Sequence, residues 1–415
     1  MQLLRNSYSH LAKITNTSCI FATMNILFVA NRFPYPPFRG DKLKIYNLTR
    51  RLAKNHNLYL VTFYEKRDEL NYLKEIAPFF KEIELVYLPQ WKSVLNCVPA
   101  LFSSKPLQLA YFNSSKMSRL VNWAVENYSI DVVHTQHLRM SQYTSHLKIP
   151  KILDLPDAFS LYFKRRSETE RPLINRLIDR IEIKRLAKAE QIIKQYNKVL
   201  VCSIEDKKFL EKLHHVSNID ILLNGVDLET FDVKDGHDYT IENTLLFTGN
   251  MDYAPNVDAV IYFVKDLWPS ILKQNPSVRL VIAGQRPVDD ILRLQNDQIE
   301  ITGFVPDISD LYRRSTVLIA PLRFGAGTQN KVLEAMAMGV PVVCTNIGFA
   351  GLQIESGDGV IMAKDSIDFV NQVNQLLTSS ALRQQVGQKG LNIAHQRFSW
   401  DSITDQLGYY IKELN

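Results

Sequence analysis

Short, β-rich apolar runs alternate with longer helical patterns along almost the whole chain. No other feature constrains the fold as much. In the first half the runs cover residues 26–30, 58–63, 83–88, 132–135, 152–155, 199–203 and 219–223. In the second half they cover 245–249, 278–283, 299–302, 317–321, 340–345 and 359–362, with helical stretches such as 41–54, 256–275 and 329–338 between them. Strands without polar alternation belong to parallel sheets buried on both faces, and the intervening helices supply the cover. The series runs through twice, around a polar and charged join. It predicts an α/β chain of two Rossmann-like, doubly wound parallel-sheet domains facing a cleft. The expected divisions are 24–230, a linker at 231–243 and 244–395, with a closing segment at 396–415. Open α/β sheets bind ligands beyond the carboxyl ends of their strands, so the cleft is the expected site.

Composition narrows the function class. Lys and Arg number 49 against 43 Asp and Glu, a net charge of +6 that is mild for 415 residues and does not call for nucleic acid. Cys19, Cys97, Cys202 and Cys344 lie far apart. That spacing disfavours a zinc ribbon, a CxxC redox site and a disulfide scaffold, and fits a reducing, cytoplasmic setting. No run reaches the ~18 apolar residues of a membrane span. Residues 1–23 lack the apolar stretch of ~7–15 residues that a secretory signal needs, and are expected to be a mis-called start or a disordered arm.

The most informative stretch runs from Pro321 to Cys344. An apolar strand ends at Pro321, Gly325 and Gly327 occupy the following loop, and a helix opens near Thr328. Glycines ahead of a helix start let backbone approach a ligand, and the helix dipole favours an anion such as a diphosphate. Lys331 and Glu334 fall one turn apart on one face. The lysine suits phosphate, and the carboxylate suits vicinal hydroxyls of a ribose. The same pattern also describes an ordinary strand-loop-helix bearing a surface ion pair.

Elsewhere, His134 and His137 follow the apolar residues Val132 and Val133, at the carboxyl end of that strand. His137 is a candidate sugar or acceptor contact, and a structural histidine is the competing reading. Asp154 and Asp157 stand at and just beyond the carboxyl end of the strand at 152–155 and are expected to face the cleft. Either suits an acceptor hydroxyl or a general base, and Asp157, after Pro156, also suits a helix cap. No histidine pair has ligand spacing, so no metal is assigned. Residues 164–198 hold eleven Lys and Arg against five Asp and Glu, and Arg176, Arg180, Lys184 and Lys188 recur every four residues. Such a ridge fits a helix resting on anionic lipid, or a solvated helix packed on its sheet.

The 321–344 stretch resembles the nucleotide-sugar site of family 4 glycosyltransferases, retaining enzymes of the GT-B fold. Their motif has two glutamates eight positions apart, then Ala-Met-Ala, a glycine and Pro-Val-Val. Glu334 matches the second glutamate, which in that family holds the donor ribose, whereas the first falls on Ala326. The variant with Arg323, Gly325, Gly327, Lys331 and Glu334 resembles a subgroup of bacterial transferases associated with exosortase and extracellular polysaccharide loci. Residues 33–42 resemble that subgroup's first loop, where Gly40 approaches the donor phosphates. Residues 224–227, 247–256 and 397–401 resemble the turn before the linker, the first carboxyl-domain loop and the lead into a final helix packed back across the domains.

Most family members clamp the diphosphate with an Arg and a Lys in the first carboxyl-domain loop. Here that loop reads Gly249-Asn250-Met251 and then Pro255-Asn256. Asn250 stands as a donor-side position, with Arg323 and Lys331 as replacement cations on charge grounds. Backbone around Gly303, Phe304 and Val305 is expected to frame the base, and Gln136 or His137 to meet sugar or acceptor.

The resemblance implies a retaining, metal-independent hexosyltransferase without a cofactor. It would use a nucleotide-diphosphate sugar as co-substrate and a glycan or lipid-linked acceptor, at the inner face of the membrane or in the cytoplasm. No two aspartates are separated by a single residue, so the Asp-x-Asp metal motif of the other large glycosyltransferase fold is absent. Two alternatives share the scaffold: a nucleotide-sugar epimerase, and a non-catalytic partner, which Ala326 favours. A dinucleotide dehydrogenase is disfavoured because no G-x-G-x-x-G follows the first strand.

Overall fold

The structure, a computed structural model, describes residues 23–37, 40–168, 172–233, 236–241, 243–325 and 328–414. Ala326, Gly327 and residues 1–22, with the expectations attached to them, lie outside the described residues.

Seven strands form the first sheet: β1 (Asn25–Ala30), β2 (Asn57–Tyr64), β3 (Glu82–Tyr87), β4 (Val132–Gln136), β5 (Lys151–Leu155), β6 (Lys198–Val201) and β7 (Ile219–Ile221). Six form the second: β8 (Thr244–Thr248), β9 (Arg279–Ala283), β10 (Ile299–Gly303), β11 (Val317–Ala320), β12 (Val342–Cys344) and β13 (Val360–Met362). The orders are β3-β2-β1-β4-β5-β6-β7 and β10-β9-β8-β11-β12-β13, each reversing direction beside the first strand of its domain. Every pairing is parallel; Ile26 lies between Leu58 and Val132, and Leu245 between Leu280 and Val317. This is the two-domain α/β architecture that the alternating apolar runs predict. The runs are continuous because β4, β5 and β11 are buried at every position.

The helices that position the site are α1 (Gly40–Leu52), α2 (Gln90–Leu101), α3 (Phe159–Ser167), α4 (Leu173–Glu190), α5 (Ala254–Tyr262), α6 (Asn330–Ala337) and α7 (Trp400–Lys412). The single helix expected at 256–275 is instead three pieces: α5, a π-helical turn at Phe263–Leu267 and a second helix at Trp268–Gln274. Pro269, which has no N–H to donate, sits in the first turn of that last piece and breaks the ladder.

The final helix returns to the first domain. Trp400 is fully buried, and a Cβ on Gly225 would come within 2.6 Å of its ring, so only glycine fits there. Arg51 Nε meets Asp401 Oδ1 at 3.0 Å, and the Tyr410 hydroxyl donates to the Ile221 carbonyl at 3.1 Å. These contacts tie the end of the chain to β7 and α1.

Candidate active site between the two sheets

The stretch after β11 enters a loop at Pro321, where Gly325 holds φ +144°, and α6 begins at Asn330 without a side-chain cap from Gln329. A Cβ on Gly40, the first residue of α1, would lie 4.0 Å from Asn330 Nδ2. The first residues of two helices, one from each domain, therefore lie close together across the gap. Both dipoles favour an anion there.

Lys331 and Glu334 do not form the surface ion pair that the bland reading allowed. Lys331 is buried, its Nζ donating to Asn256 Oδ1 at 2.8 Å and lying 3.9 Å from the centre of the Phe247 ring. Burial pushes its pKa down to about 7, against a raising influence from Glu334. A neutral amide is a poor partner for an ammonium in such surroundings. Glu334 is half-buried; its Oε2 accepts from the Tyr312 hydroxyl at 2.6 Å, and Tyr312 also shares a hydrogen bond of 2.8 Å with Thr248. Enclosure raises the Glu334 pKa, opposed by the Tyr312 bond and by Lys331. The other carboxylate oxygen has no protein partner among the described residues, so one side of the group is held and the other is open.

The carboxyl ends of β8, β9 and β10 are drawn close by glycine. A Cβ on Gly284 would fall 1.7 Å from the Gly249 carbonyl oxygen, and one on Gly249 would fall 2.5 Å from Asn256 Nδ2. Gly303, at φ +66°, accepts from the Gly284 N–H at 3.0 Å and opens onto free space. Val305 is half-buried beside the exposed Phe304. Asn250 uses its side-chain oxygen to accept from Gln285 Nε2 at 2.8 Å, while its backbone oxygen accepts from Asn256 Nδ2 at 3.0 Å.

One expected donor-side cation is committed elsewhere. Arg323 makes a two-pronged pair with Asp258 of α5, at 2.9 and 2.5 Å, over the Tyr262 ring, so its charge is already met. The Thr328 hydroxyl donates across the gap to the Cys202 carbonyl at 3.1 Å. Asn224 Nδ2 similarly reaches Asn330 Oδ1 at 3.0 Å, and Arg165 Nη1 reaches the Gly325 carbonyl at 3.1 Å. The residues on either side of the glycine loop thus form one of the contacts between the domains.

On the first domain, the two aspartates separate in a way the sequence does not show. Asp154 was expected to face the cleft, yet it is fully buried, 2.8 Å from the Lys44 ammonium and 3.5 Å from His134 Nε2. It lies on a strand whose every position is buried, and Lys44 of α1 closes over it. Asp157 does not cap α3 as expected; Ala158 is the cap residue and has no side-chain bond to give. The Ala158 N–H donates to Asp206 Oδ1 at 3.2 Å, and the Ser160 N–H to Glu190 Oε1 at 2.9 Å. Asp157 is left half-buried and without a hydrogen bond among the described residues. Burial, then Asp206, raises its pKa to about 7, opposed by Arg139, Arg165 and Lys44. Its field reaches Tyr253 of the second domain, whose hydroxyl is raised first by burial and then by Tyr162 and Asp157. His137 is buried at φ +80°, its N–H donating to the Asp154 carbonyl at 2.7 Å and its ring 4.6 Å from Phe159. Its Nδ1 has no partner, and burial, then Arg139, holds the imidazole well below its ordinary pKa.

Against known proteins, residues 242–379 match the family model described as glycosyl transferases group 1. The matched residues make up most of the carboxyl-terminal domain. This domain carries Lys331, Glu334 and the glycine contacts of β8 to β10. Among curated relatives, the O-antigen chain mannosyltransferase B of Escherichia coli is 28% identical over 172 residues, covering 39% of this chain and 43% of the relative. The chain spans less than half the length of the first curated relatives it matches, 36%, 41% and 43%.

Fold likeness extends further than the group 1 match. The sucrose-phosphate synthase of Thermosynechococcus elongatus aligns with TM-score 0.69 at 16% identity, covering 94% of this chain and 99% of that one. Anabaena HepE, solved with UDP and glucose, aligns with TM-score 0.66 at 15% identity, covering 94% and 99%. Both share the two-sheet GT-B architecture seen here.

Proposed function

We propose that the protein is a retaining glycosyltransferase of the exopolysaccharide-associated kind. It moves a hexose from a nucleotide-diphosphate sugar to a glycan or lipid-linked acceptor in cell-surface polysaccharide synthesis. The observation that carries this reading is Lys331, a buried lysine whose hydrogen-bond partner among the described residues is an amide and not a carboxylate, beside a glutamate with one free oxygen and near the first residues of α1 and α6. A diphosphate entering there supplies the missing counter-charge to Lys331, and the free Glu334 oxygen takes the ribose hydroxyls. Gly303 leaves room for the base. Cationic and dipolar groups stabilise the departing nucleoside diphosphate without calling on a metal, which favours an oxocarbenium-like transition state. The UDP in HepE and the group 1 match support the donor class.

The test is donor binding. Glu334→Ala weakens nucleoside diphosphate affinity about tenfold or more by calorimetry, and unchanged affinity refutes the assignment. On the acceptor side the reading assigns Asp157, a half-buried carboxylate without a hydrogen bond among the described residues, to receive the proton of the attacking hydroxyl. Asp157→Asn lowers the transfer rate about a hundredfold while leaving nucleotide affinity within about twofold. Equal loss of both places Asp157 in donor binding instead.

A further inference from the structure

Two neighbouring helices of the first domain turn apolar side chains to solvent. On α2, Trp91, Val94, Leu95, Val98 and Leu101 recur at three- and four-residue spacing and are all exposed, and Phe102 just beyond is 90% exposed. On α4, Leu173, Ile174, Leu177, Ile178 and Ile181 do the same, with Leu173 at 81%. A soluble helix packs such a stripe inward. Here the stripes face outward on both, and they are joined: Arg185 Nη2 of α4 donates to the Leu101 carbonyl at 3.2 Å, and Glu182 Oε2 accepts from the Leu107 N–H at 3.0 Å.

The charges on this face have one sign. All three acidic residues of α4 point inward and are engaged. Asp179 pairs with Arg166, Glu182 holds Arg185 and the Leu107 N–H, and Glu190 holds the Ser160 hydroxyl and N–H. What α4 shows to solvent beyond its apolar half is Arg180, Lys184 and Lys188, and α2 has no acidic residue at all. At 12 and 18 residues, the two helices are about 18 and 27 Å long, and among the described residues none is long and apolar enough to cross a bilayer.

We propose that α2 and α4 together form an in-plane docking surface for an anionic phospholipid bilayer, the apolar stripes entering the headgroup boundary and the cations meeting lipid phosphate. Interfacial helices have this combination of aromatic and aliphatic residues with flanking Lys and Arg. A second copy is a poor occupant, because a two-fold contact sets each basic patch against its own image with no acid to meet it. The surface also lies where a lipid-borne substrate is useful. Arg166, at the end of α3, is pinned to α4, and Arg165 beside it reaches the Gly325 carbonyl of the other domain. The inference deepens the glycosyltransferase reading by naming the surface from which a lipid-linked acceptor is drawn.

Co-sedimentation with vesicles tests it, using phosphatidylcholine alone and phosphatidylcholine with one quarter phosphatidylglycerol. The full chain binds the anionic vesicles about tenfold or more tightly than the neutral ones, and added salt weakens the binding. Arg180→Glu/Lys184→Glu/Lys188→Glu removes that preference, and Trp91→Ser/Leu95→Ser weakens binding with the charge unchanged. All five positions are exposed, and unchanged melting temperatures confirm that the variants fold. Absent binding, equal binding to both vesicles, or a dimer in light scattering that Trp91→Ser/Leu95→Ser dissolves would overturn the proposal. Nucleoside diphosphate binding by the same samples is read separately, so a failure here is distinguishable from a failure of the glycosyltransferase assignment.

Discussion

Each domain buries one lysine near a carboxylate beyond the carboxyl ends of its strands, and the two are handled in opposite ways. In the first, Lys44 Nζ sits 2.8 Å from Asp154 Oδ1 and also donates to the Leu222 carbonyl at 3.1 Å. Burial alone would depress its pKa, but Asp154 and Cys202 outweigh that and hold it above the ordinary value, while Lys44 and His134 keep the Asp154 carboxylate below its own. In the second, Lys331 has an amide for a partner and its pKa falls to about 7. The carboxylate one turn away is bound to Tyr312 instead. A charge compensated inside the protein holds the fold together. A charge left uncompensated marks where a charge of opposite sign is to arrive.

The largest effect expected from this contrast is on stability. Lys44→Met strands a buried Asp154 and costs about 3–5 kcal/mol, read by denaturant unfolding. Lys44→Met/Asp154→Leu recovers most of it, because the double change removes the uncompensated charge. A loss below about 1 kcal/mol for the single variant would show that Asp154 takes up a proton at little cost, and the contrast would dissolve.

Lys331→Met turns the result around. It costs no more than about 1 kcal/mol of stability, since the amide of Asn256 loses one hydrogen bond and the methionine still covers Phe247. Nucleoside diphosphate affinity falls about 10–100-fold by calorimetry, the worth of a charge-assisted contact to phosphate. Strong destabilisation with unchanged affinity would make Lys331 a second structural lysine.

The difference between these two lysines shows how far sequence reaches. The strands were legible because burial on both faces leaves a largely apolar run at the central ones, such as β1 and β11, while the edge strands β3, β7 and β10 carry acidic residues within shorter apolar patterns. Lys331 with Glu334 were legible because they share one helix face after a glycine loop. Lys44 carries no such signal, as its partner Asp154 is 110 residues away and the pairing exists only once α1 lies across β5. Asp154 and Asp157 look interchangeable in sequence, three residues apart after one strand. The first lies on a strand buried at every position and so is enclosed, while the second, past the end of that strand, is left half-buried. Asn256 and Tyr312, which hold Lys331 and Glu334, were missed for the same reason as Lys44. Arg323 was legible as a cation, but its neutralisation by Asp258, on a helix 65 residues earlier, was not.

The smallest effect is the most diagnostic. With Lys331 at about 7 in the free protein, the ammonium is mostly neutral above that value. A bound diphosphate favours the charged form and raises the pKa, so binding takes up a proton between the free and the bound values. Affinity for a nucleoside diphosphate must then fall as pH rises from 7.5 to 8.5, by up to about tenfold, in a range where the ligand's own phosphate, with second pKa near 6, no longer titrates. Lys331→Met flattens the profile. Lys44 leaves it untouched, because its raised pKa keeps it charged throughout this range. A wild-type profile that is flat from 7.5 to 8.5 would mean that Lys331 is held charged without ligand, as Lys44 is, and the distinction between the two domains would be lost.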